Sequence, residues 1–305
     1  MKYSLSTNWC NTRIKRGEEI AEKALALGFD ELELGFRTQA EQVPGFEAML
    51  SRIPVGSIHA FCPVPVSAPS GHPELFQLAS FSKAERGLAL AHVKNNIRFA
   101  SRIGADTVVL HAGRIGFSSM FKFIDSGLLR AVFAQGGQKT DFKPYVKLLE
   151  KAKRIRRKRG NKAFDIFRRT LDELVPELEK NKVTLALENL PYLEGFPDEA
   201  ETARLIELFK DKPIRGWFDT GHNRVRAMHG WIDASSMPAP AAFAGMHLND
   251  VVDFNDDHLA PGDGKVDFAA LKTFAHGVRH VVFEPHSSVD EDALRRGLAR
   301  IRAIW

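Results

Sequence analysis

The segments VTLALEN (183–189) and IRGWFDT (214–220) decide the fold, because each is short and apolar and carries a carboxylate near its end, Glu188 or Asp219. Short apolar runs of this length are typical of strands that are buried on both faces of a parallel sheet. Six further segments of the same kind lie along the chain: YSLST (3–7), ELELGF (31–36), GSIHAF (56–61), DTVVLHA (106–112), FAGMHLN (243–249) and HVVFEP (280–285).

Longer segments of helical period lie between these strands. Residues 17–27, 83–103 and 290–303 place apolar side chains three or four positions apart, as amphipathic helices do. Two more helical stripes are Phe167, Leu171, Leu174 and Leu178, and Phe268, Leu271 and Phe274. Alternating strands and helices predict an α/β fold, a single (β/α)8 TIM barrel over residues 1–305. The alternative is an open doubly wound sheet, which the lack of a GxGxxG or GxxxxGK[ST] loop disfavours.

The connection between the fourth and fifth strands is too long for one crossover helix, since about 70 residues separate Ala112 from Val183. We expect residues 114–160 to form an insertion between strands 4 and 5. Insertions on the carboxyl side of a barrel often cover the active site, so a lid is one prediction. A peripheral decoration or an oligomer contact is the equal alternative. Its aromatic residues are Phe117, Phe121, Phe123, Phe133 and Phe142.

The positive charge of the chain is concentrated in one segment. Residues 151–169 hold ten Lys or Arg and one acid, so this run is +9 while the whole chain is +5. A solvated helix face is the favoured interpretation, and a surface for phosphate or nucleic acid is the alternative. The first twenty residues lack the apolar core of a signal peptide, and no run is long enough to span a membrane. With only Cys10 and Cys62, and no CxxC, we expect a cytoplasmic protein without a membrane partner.

Histidine and acidic residues mark the carboxyl ends of the predicted strands, which open into one mouth in a barrel. Neutral imidazole and ionised carboxylate together are typical ligands of divalent metals. Burying so many carboxylates without a compensating cation costs several kcal/mol each. The sequence therefore predicts one to three divalent ions, zinc or manganese. The candidate ligands are His59, His111, Glu188, Asp219, His222, His247, Asp256, His258 and Glu284.

The remaining histidines have no such placement and are interpreted as surface or packing residues: His72, His92, His229, His276, His280 and His286. Arg114, near the end of the fourth strand, is interpreted either as a phosphate ligand or as an ordinary surface arginine.

Five motifs resemble the xylose isomerase-like TIM-barrel superfamily, which contains sugar isomerases and epimerases and also endonuclease IV. They are ALENLP (186–191), FDTGH (218–222), HLND (247–250), DDHLAPGDGKVDF (256–268) and VFEP (282–285). The isomerase branch implies one metal on Glu188, Asp219, His247 and Glu284. The two Glu residues would also be catalytic, moving a substrate proton. His222 would contact substrate oxygen.

The endonuclease IV branch implies three zinc ions instead. The first would bind His59, His111 and Glu188, and the second would share Glu188 with Asp219, His247 and Glu284. The third would bind His222, Asp256 and His258. Such a centre cleaves phosphodiesters.

The resemblance leaves the reaction open between these branches. The loops after His59 and His222 do not resemble those with which endonuclease IV enters DNA, so an isomerase or epimerase of a small sugar or sugar phosphate is favoured. A zinc phosphodiesterase acting on DNA or a smaller phosphoester is the enzymatic alternative. A metal-binding barrel without catalysis is the third possibility.

Overall fold

The eight strands form a closed parallel barrel in which each strand pairs with the next, and the first strand pairs with the eighth. The computed structural model describes residues 1–115, 124–232, 239–255 and 258–305. The closed barrel of eight parallel strands confirms the predicted fold. The strands are β1 Ser4–Ser6, β2 Glu31–Leu34, β3 Val55–His59, β4 Thr107–Leu110, β5 Thr184–Glu188, β6 Ile214–Asp219, β7 Phe243–Leu248 and β8 His280–Phe283.

Ten α-helices are assigned among the described residues, most of them around the barrel. They are α1 Gly17–Leu27, α2 Val43–Met49, α3 Lys83–Ile103, α4 Ser126–Gln135, α5 Lys143–Asp172, α6 Val175–Asn181, α7 Glu199–Leu208, α8 Thr220–Met228, α9 Lys272–Gly277 and α10 Glu291–Ile304. Helices α1 and α3 end at Gly28 and Gly104, whose φ angles of 94° and 83° lie in the left-handed region that glycine adopts without strain. No helix in the described part of the chain is both long and apolar enough to cross a membrane.

Several predicted element ends were wrong by one or more residues. Each strand is shorter than its apolar segment, because the residues after it leave the hydrogen-bonded ladder. The stripe that ends at Leu178 is split between α5 and α6, since Pro176 lacks an N–H and begins a new helix. Phe268 and Leu271 precede α9 rather than lying in it.

The predicted insertion has no boundary at residue 160. Helix α5 runs for 30 residues through this point and continues into the part that flanks the barrel. Its first half packs with α4 and with residues of later loops in a separate apolar cluster: Leu129, Phe133, Tyr145, Leu149, Ala152, Leu193 and Trp231. Phe117, Phe121 and Phe123 lie outside the described residues, and a lid function stays a prediction.

One arginine of the basic run is buried and fixes α5 to the barrel. Arg156 donates to both carboxylate oxygens of Glu201, at 2.7 and 2.6 Å, and lies 2.9 Å from Asp198 Oδ2. It also donates to the carbonyls of Leu193 and Gly195. Both carbonyls lie in the loop after β5, so Arg156 holds this loop at the barrel mouth.

We expect Arg156→Met to lower the free energy of unfolding by about 3–5 kcal/mol, because the substitution leaves Glu201 buried without its partner. Denaturant titration measures this change. Arg157→Met is the matched control, since Arg157 is exposed on the same helix. Equal midpoints for the two variants would contradict a structural role for Arg156.

Candidate metal centre at the carboxyl end of the barrel

Three groups of potential metal ligands lie at the carboxyl ends of the strands, and within each group the ligand atoms are within 4.8 Å of one another. The groups are His59, His111 and Glu188; Glu188, Asp219, His247 and Glu284; and Asp219, His222 and His258. Eight of the nine predicted ligands therefore come together. The ninth, Asp256, lies outside the described residues. Parallel strands bring these side chains together because all eight end at the same mouth.

The tautomers of three histidines are fixed by backbone carbonyls. His59 Nδ1 donates to the carbonyl of Ala60 at 2.9 Å, and His222 Nδ1 donates to that of Asn189 at 2.8 Å. His258 Nδ1 donates to the carbonyl of Glu284 at 2.8 Å. A neutral imidazole that donates through Nδ1 carries its lone pair on Nε2. Nε2 is therefore the atom through which each of these rings would bind a metal.

His247 is oriented in the opposite sense by Glu33, a residue that the sequence analysis missed. Glu33 is fully buried on β2, and its two oxygens lie 3.1 and 3.2 Å from His247 Nε2. Ser57 Oγ donates to the same carboxylate at 2.9 Å. When the ring is neutral, Nε2 donates to Glu33 and the lone pair of His247 lies on Nδ1, as in carboxylate–histidine–metal triads.

Other hydrogen bonds hold the acidic ligands. Asn249 Nδ2 donates to Asp219 Oδ2 at 2.7 Å, and Asn8 Nδ2 donates to Glu284 Oε1 at 3.1 Å. Asp219 also caps α8 by accepting the N–H of His222 at 2.7 Å. Below the centre, the interior of the barrel is filled by Trp217 and small apolar side chains, and the Trp217 ring lies edge-on to His247 at 5.0 Å. The candidate ligands therefore lie against the packed interior of the barrel.

The buried charges shift several pKa values. Burial alone would raise the pKa of Glu188, but His247 and His111 hold it well below its ordinary value. Burial alone would lower the pKa of His247, but Glu284, Glu33 and Glu188 raise it well above that of a free histidine. Burial raises the pKa of Asp219, and the nearby histidines only partly offset this effect. The carboxylates therefore require positive charge close by.

The donor set fits a divalent metal. Lone pairs of His247 Nδ1 and of the Glu188 and Glu284 oxygens face one another at 3.1 and 3.0 Å. The Nε2 atoms of His59 and His111 lie 3.1 Å from the second oxygen of Glu188. Facing lone pairs at this distance repel unless a proton or a cation lies between them. Mixed imidazole and carboxylate ligands are those that zinc and manganese accept.

A cavity of about 210 Å³ opens above this centre. Its floor includes His59, His111, His222, His258 and Glu284. The wall carries residues from five loops, among them Asn8, Arg37, Glu74, Tyr192 and Ser287. His72 and His286, which the sequence analysis interpreted as surface or packing residues, are exposed but also line this cavity. No strand pattern marks them, because the path of their loops alone brings them to the cavity.

Arg114 does not line this cavity. Its Nε donates to both oxygens of Glu74, at 3.1 and 2.9 Å, and its guanidinium stacks on Tyr192 at 3.6 Å. These contacts connect the loops after β3, β4 and β5. A direct contact between Arg114 and substrate stays a prediction, and the observed contacts are structural.

We expect Glu33→Gln to lower metal affinity about 10- to 100-fold, as loss of outer partners of metal-binding histidines does. The amide removes the negative charge that favours the Nε2–H tautomer of His247. Competition with a chromogenic chelator measures the affinity. Glu31→Gln is the matched control, because Glu31 lies on the same strand and pairs with Lys2. Unchanged affinity in Glu33→Gln would show that His247 needs no such partner.

The fold and the centre define a (β/α)8 barrel with a buried histidine–carboxylate cluster at its carboxyl end. Residues 21–304 match the family model for the xylose isomerase-like TIM barrel, and the chain belongs to this family. No protein of curated function matches the sequence.

Solved structures of the same fold include named sugar epimerases. The 3-keto-D-glucoside 4-epimerase YcjR of E. coli is 15% identical, with a TM-score of 0.66 over 99% of each chain. The D-psicose 3-epimerase of Clostridium cellulolyticum H10 is 14% identical, with a TM-score of 0.63 over 100% of this chain and 99% of the other. The TTHB071 protein of Thermus thermophilus, soaked with ZnCl₂, is 20% identical, with a TM-score of 0.59 over 100% of this chain and 98% of the other.

Proposed function

We propose that this protein is a metal-dependent isomerase or epimerase of a small sugar or sugar phosphate. The observation that supports this proposal best is the small cavity above the ligand cluster, with Glu284 at its floor. Pockets for drug-sized ligands occupy about 300–1,000 Å³, so a cavity of about 210 Å³ suits a molecule of one sugar ring better than a DNA strand. The epimerases of similar fold are consistent with this substrate class.

The metal ligands of the proposed enzyme are Glu188, Asp219, His247 and Glu284. A divalent metal bound there would polarise the carbonyl and hydroxyl oxygens of the sugar. Glu284 would take a proton from the adjacent carbon. Asn8 holds Oε1 of Glu284 by its hydrogen bond and thereby fixes the direction of this carboxylate. His222, at the floor of the cavity, would accept a hydrogen bond from a substrate hydroxyl through Nε2, which carries its lone pair.

The two glutamates differ in their access to substrate. The Glu188 side chain is fully buried and both its oxygens face histidines, whereas Glu284 lines the cavity. Transfer of a proton between neighbouring carbons on one face of an enediol needs one base, and inversion at a single carbon needs groups on both faces. Within the proposed class, the arrangement therefore favours aldose–ketose isomerisation with Glu284 as the base. Glu188 as a second proton carrier stays a prediction.

Proton exchange with solvent tests the proposed function. Metal-loaded protein is incubated in D₂O with aldoses and ketoses of five and six carbons, each with and without a phosphate group. We expect deuterium to appear in at least one sugar at the carbon next to the carbonyl, measured by NMR. Protein treated with chelator is the control. If fully metal-loaded protein exchanges no sugar in the panel, the proposal fails.

A second candidate is a zinc phosphodiesterase. Two observations favour it: Glu188 belongs to two of the ligand groups, and a third group is present. The third group consists of Asp219, His222 and His258. Metals held a few Å apart promote cleavage of phosphoesters. Hydrolysis of bis(p-nitrophenyl) phosphate or of DNA with an abasic site tests this candidate on the same preparation. If both substrates are stable while sugars exchange protons, this candidate fails.

The basic run adds little to the nucleic-acid version of this candidate. Arg156 is engaged in its buried network, so a charge-neutralisation experiment on 151–169 should change Arg154 and Arg157 instead. If the run binds DNA, affinity falls steeply with salt. A metal-binding barrel without catalysis is the remaining alternative, and it would be inactive in both assays at full metal occupancy.

A further inference from the structure

The rim of the cavity carries an arginine that the proposed reaction does not use. Arg37 follows β2 and is the one Arg or Lys among the described residues that line the cavity. Its backbone N–H donates to Asn8 Oδ1 at 3.2 Å, and its guanidinium lies over the Phe36 ring at 5.6 Å. No described carboxylate lies within salt-bridge distance of this guanidinium. Arg37 is thus positioned at the cavity, and no carboxylate in the described part of the chain pairs with its charge.

Two histidines of the rim are held as hydrogen-bond donors. His72 Nδ1 accepts the backbone N–H of Glu74 at 3.0 Å, and His286 Nδ1 accepts that of Ser288 at 3.2 Å. A neutral ring that accepts through Nδ1 carries its hydrogen on Nε2. The ring nitrogen that each histidine can present to a ligand is therefore a donor. This is the reverse of the tautomers of His59, His222 and His258 at the floor.

Among the described residues, the one carboxylate in the wall above the floor is compensated. Glu74 lines the cavity, but both its oxygens are bound by Arg114 at 3.1 Å or less. It therefore does not oppose a negative ligand as a bare carboxylate would. The floor suits carbonyl and hydroxyl oxygens through its candidate metal ligands, whereas Arg37, His72 and His286 present hydrogen-bond donors.

We propose that the rim formed by Arg37, His72 and His286 binds an anionic group of the substrate, a phosphate or a carboxylate. This inference rests on the proposed function and narrows its substrate class to anionic sugars. The planar guanidinium matches both groups in a bidentate manner, and its stacking on Phe36 limits the rotamer freedom that binding would otherwise remove. The metal centre would hold the sugar end of the same molecule.

Titration calorimetry on the metal-loaded protein with D-ribose 5-phosphate, D-ribonate and D-ribose tests this inference. We expect at least one anion to bind about 10- to 100-fold more tightly than ribose, the range for charge-assisted hydrogen bonds. The tighter of the two anions identifies phosphate or carboxylate as the preferred group. Arg37→Gln is expected to remove most of this gain. Arg52→Gln, with the same charge change at the opposite end of the barrel, is expected to retain it.

Equal affinity of the three probes for wild-type protein would overturn the inference. A gain that survives Arg37→Gln would also overturn it, because the anion would then bind elsewhere, for example at the metal. The results that would contradict the proposed function differ from those that would contradict this inference. If the protein selects an anion through Arg37 but exchanges no sugar proton, the anion-binding inference holds and the proposed isomerase function fails. If the protein exchanges protons of neutral sugars as fast as those of phosphorylated sugars, the proposed isomerase function holds and the anion-binding inference fails.

Discussion

Glu188→Gln is expected to abolish turnover. It should also lower the metal content of the protein more than substitution of a candidate ligand that belongs to only one of the three ligand groups. Glu188 belongs to two of the three ligand groups. One of its oxygens faces His247, and the other faces His59 and His111. The amide lacks the negative charge and one of the two acceptor oxygens, so neither group keeps its full set of ligands. We expect metal affinity to fall by more than the 10- to 100-fold typical of outer partners.

Elemental analysis of protein purified without chelator measures this effect. About one metal per wild-type chain, replaceable by manganese, would favour the isomerase or epimerase. About three, mainly zinc, would favour phosphoester hydrolysis. His59→Ala is the informative comparison, because His59 belongs to one group. It should remove one ion from a multinuclear centre and none from a mononuclear one. A folded Glu188→Gln protein with full activity would contradict both enzymatic proposals.

Glu284→Gln is expected to lower the rate of proton exchange by about 10²- to 10⁴-fold, the usual contribution of a general base. The fold should persist, since Gln Oε1 can still accept the hydrogen bond from Asn8 that Glu284 accepts now. Deuterium incorporation and circular dichroism measure the two effects.

Glu284→Asp separates the roles of base and ligand. It keeps the charge but shortens the side chain by one methylene, so we expect intermediate exchange and partial metal retention. If Glu284→Gln exchanges protons at the wild-type rate with normal metal content, Glu284 is not the base. If both variants lose all metal, the assay is repeated at saturating manganese, and exchange restored by metal alone would again exclude Glu284 as the base.

The barrel and the convergence of most candidate ligands at its mouth were predictable from local pattern. Apolar strand segments alternate with amphipathic helices, and this alternation specifies a parallel sheet regardless of the loops. His59, His111 and Glu284 were found because each lies at or just after the end of a strand, where chain direction alone determines that the side chain reaches the mouth. Glu33 was missed because Glu31 and Glu33 lie two residues apart on the same face of β2, and the sequence does not say which of the two reaches the ligand cluster.

Other features depend on contacts between distant residues. Ten basic residues in 151–169 look alike in sequence, yet Arg156 is buried because the loop after β5 and α7 bring carbonyls and carboxylates to that one turn of the helix. His72, Arg37 and His286 reach the same cavity from three loops. The sequence of a loop has no repeating pattern of apolar residues from which the path of the loop could be predicted.

The sequence alone thus determined the barrel and the cluster of histidines and acids at its strand ends, because strand ends converge whatever surrounds them. The tertiary structure decided which Glu lines the cavity, which nitrogen of each histidine a hydrogen bond holds and which arginine reaches the cavity. Those properties are set by hydrogen-bond partners far away in the chain.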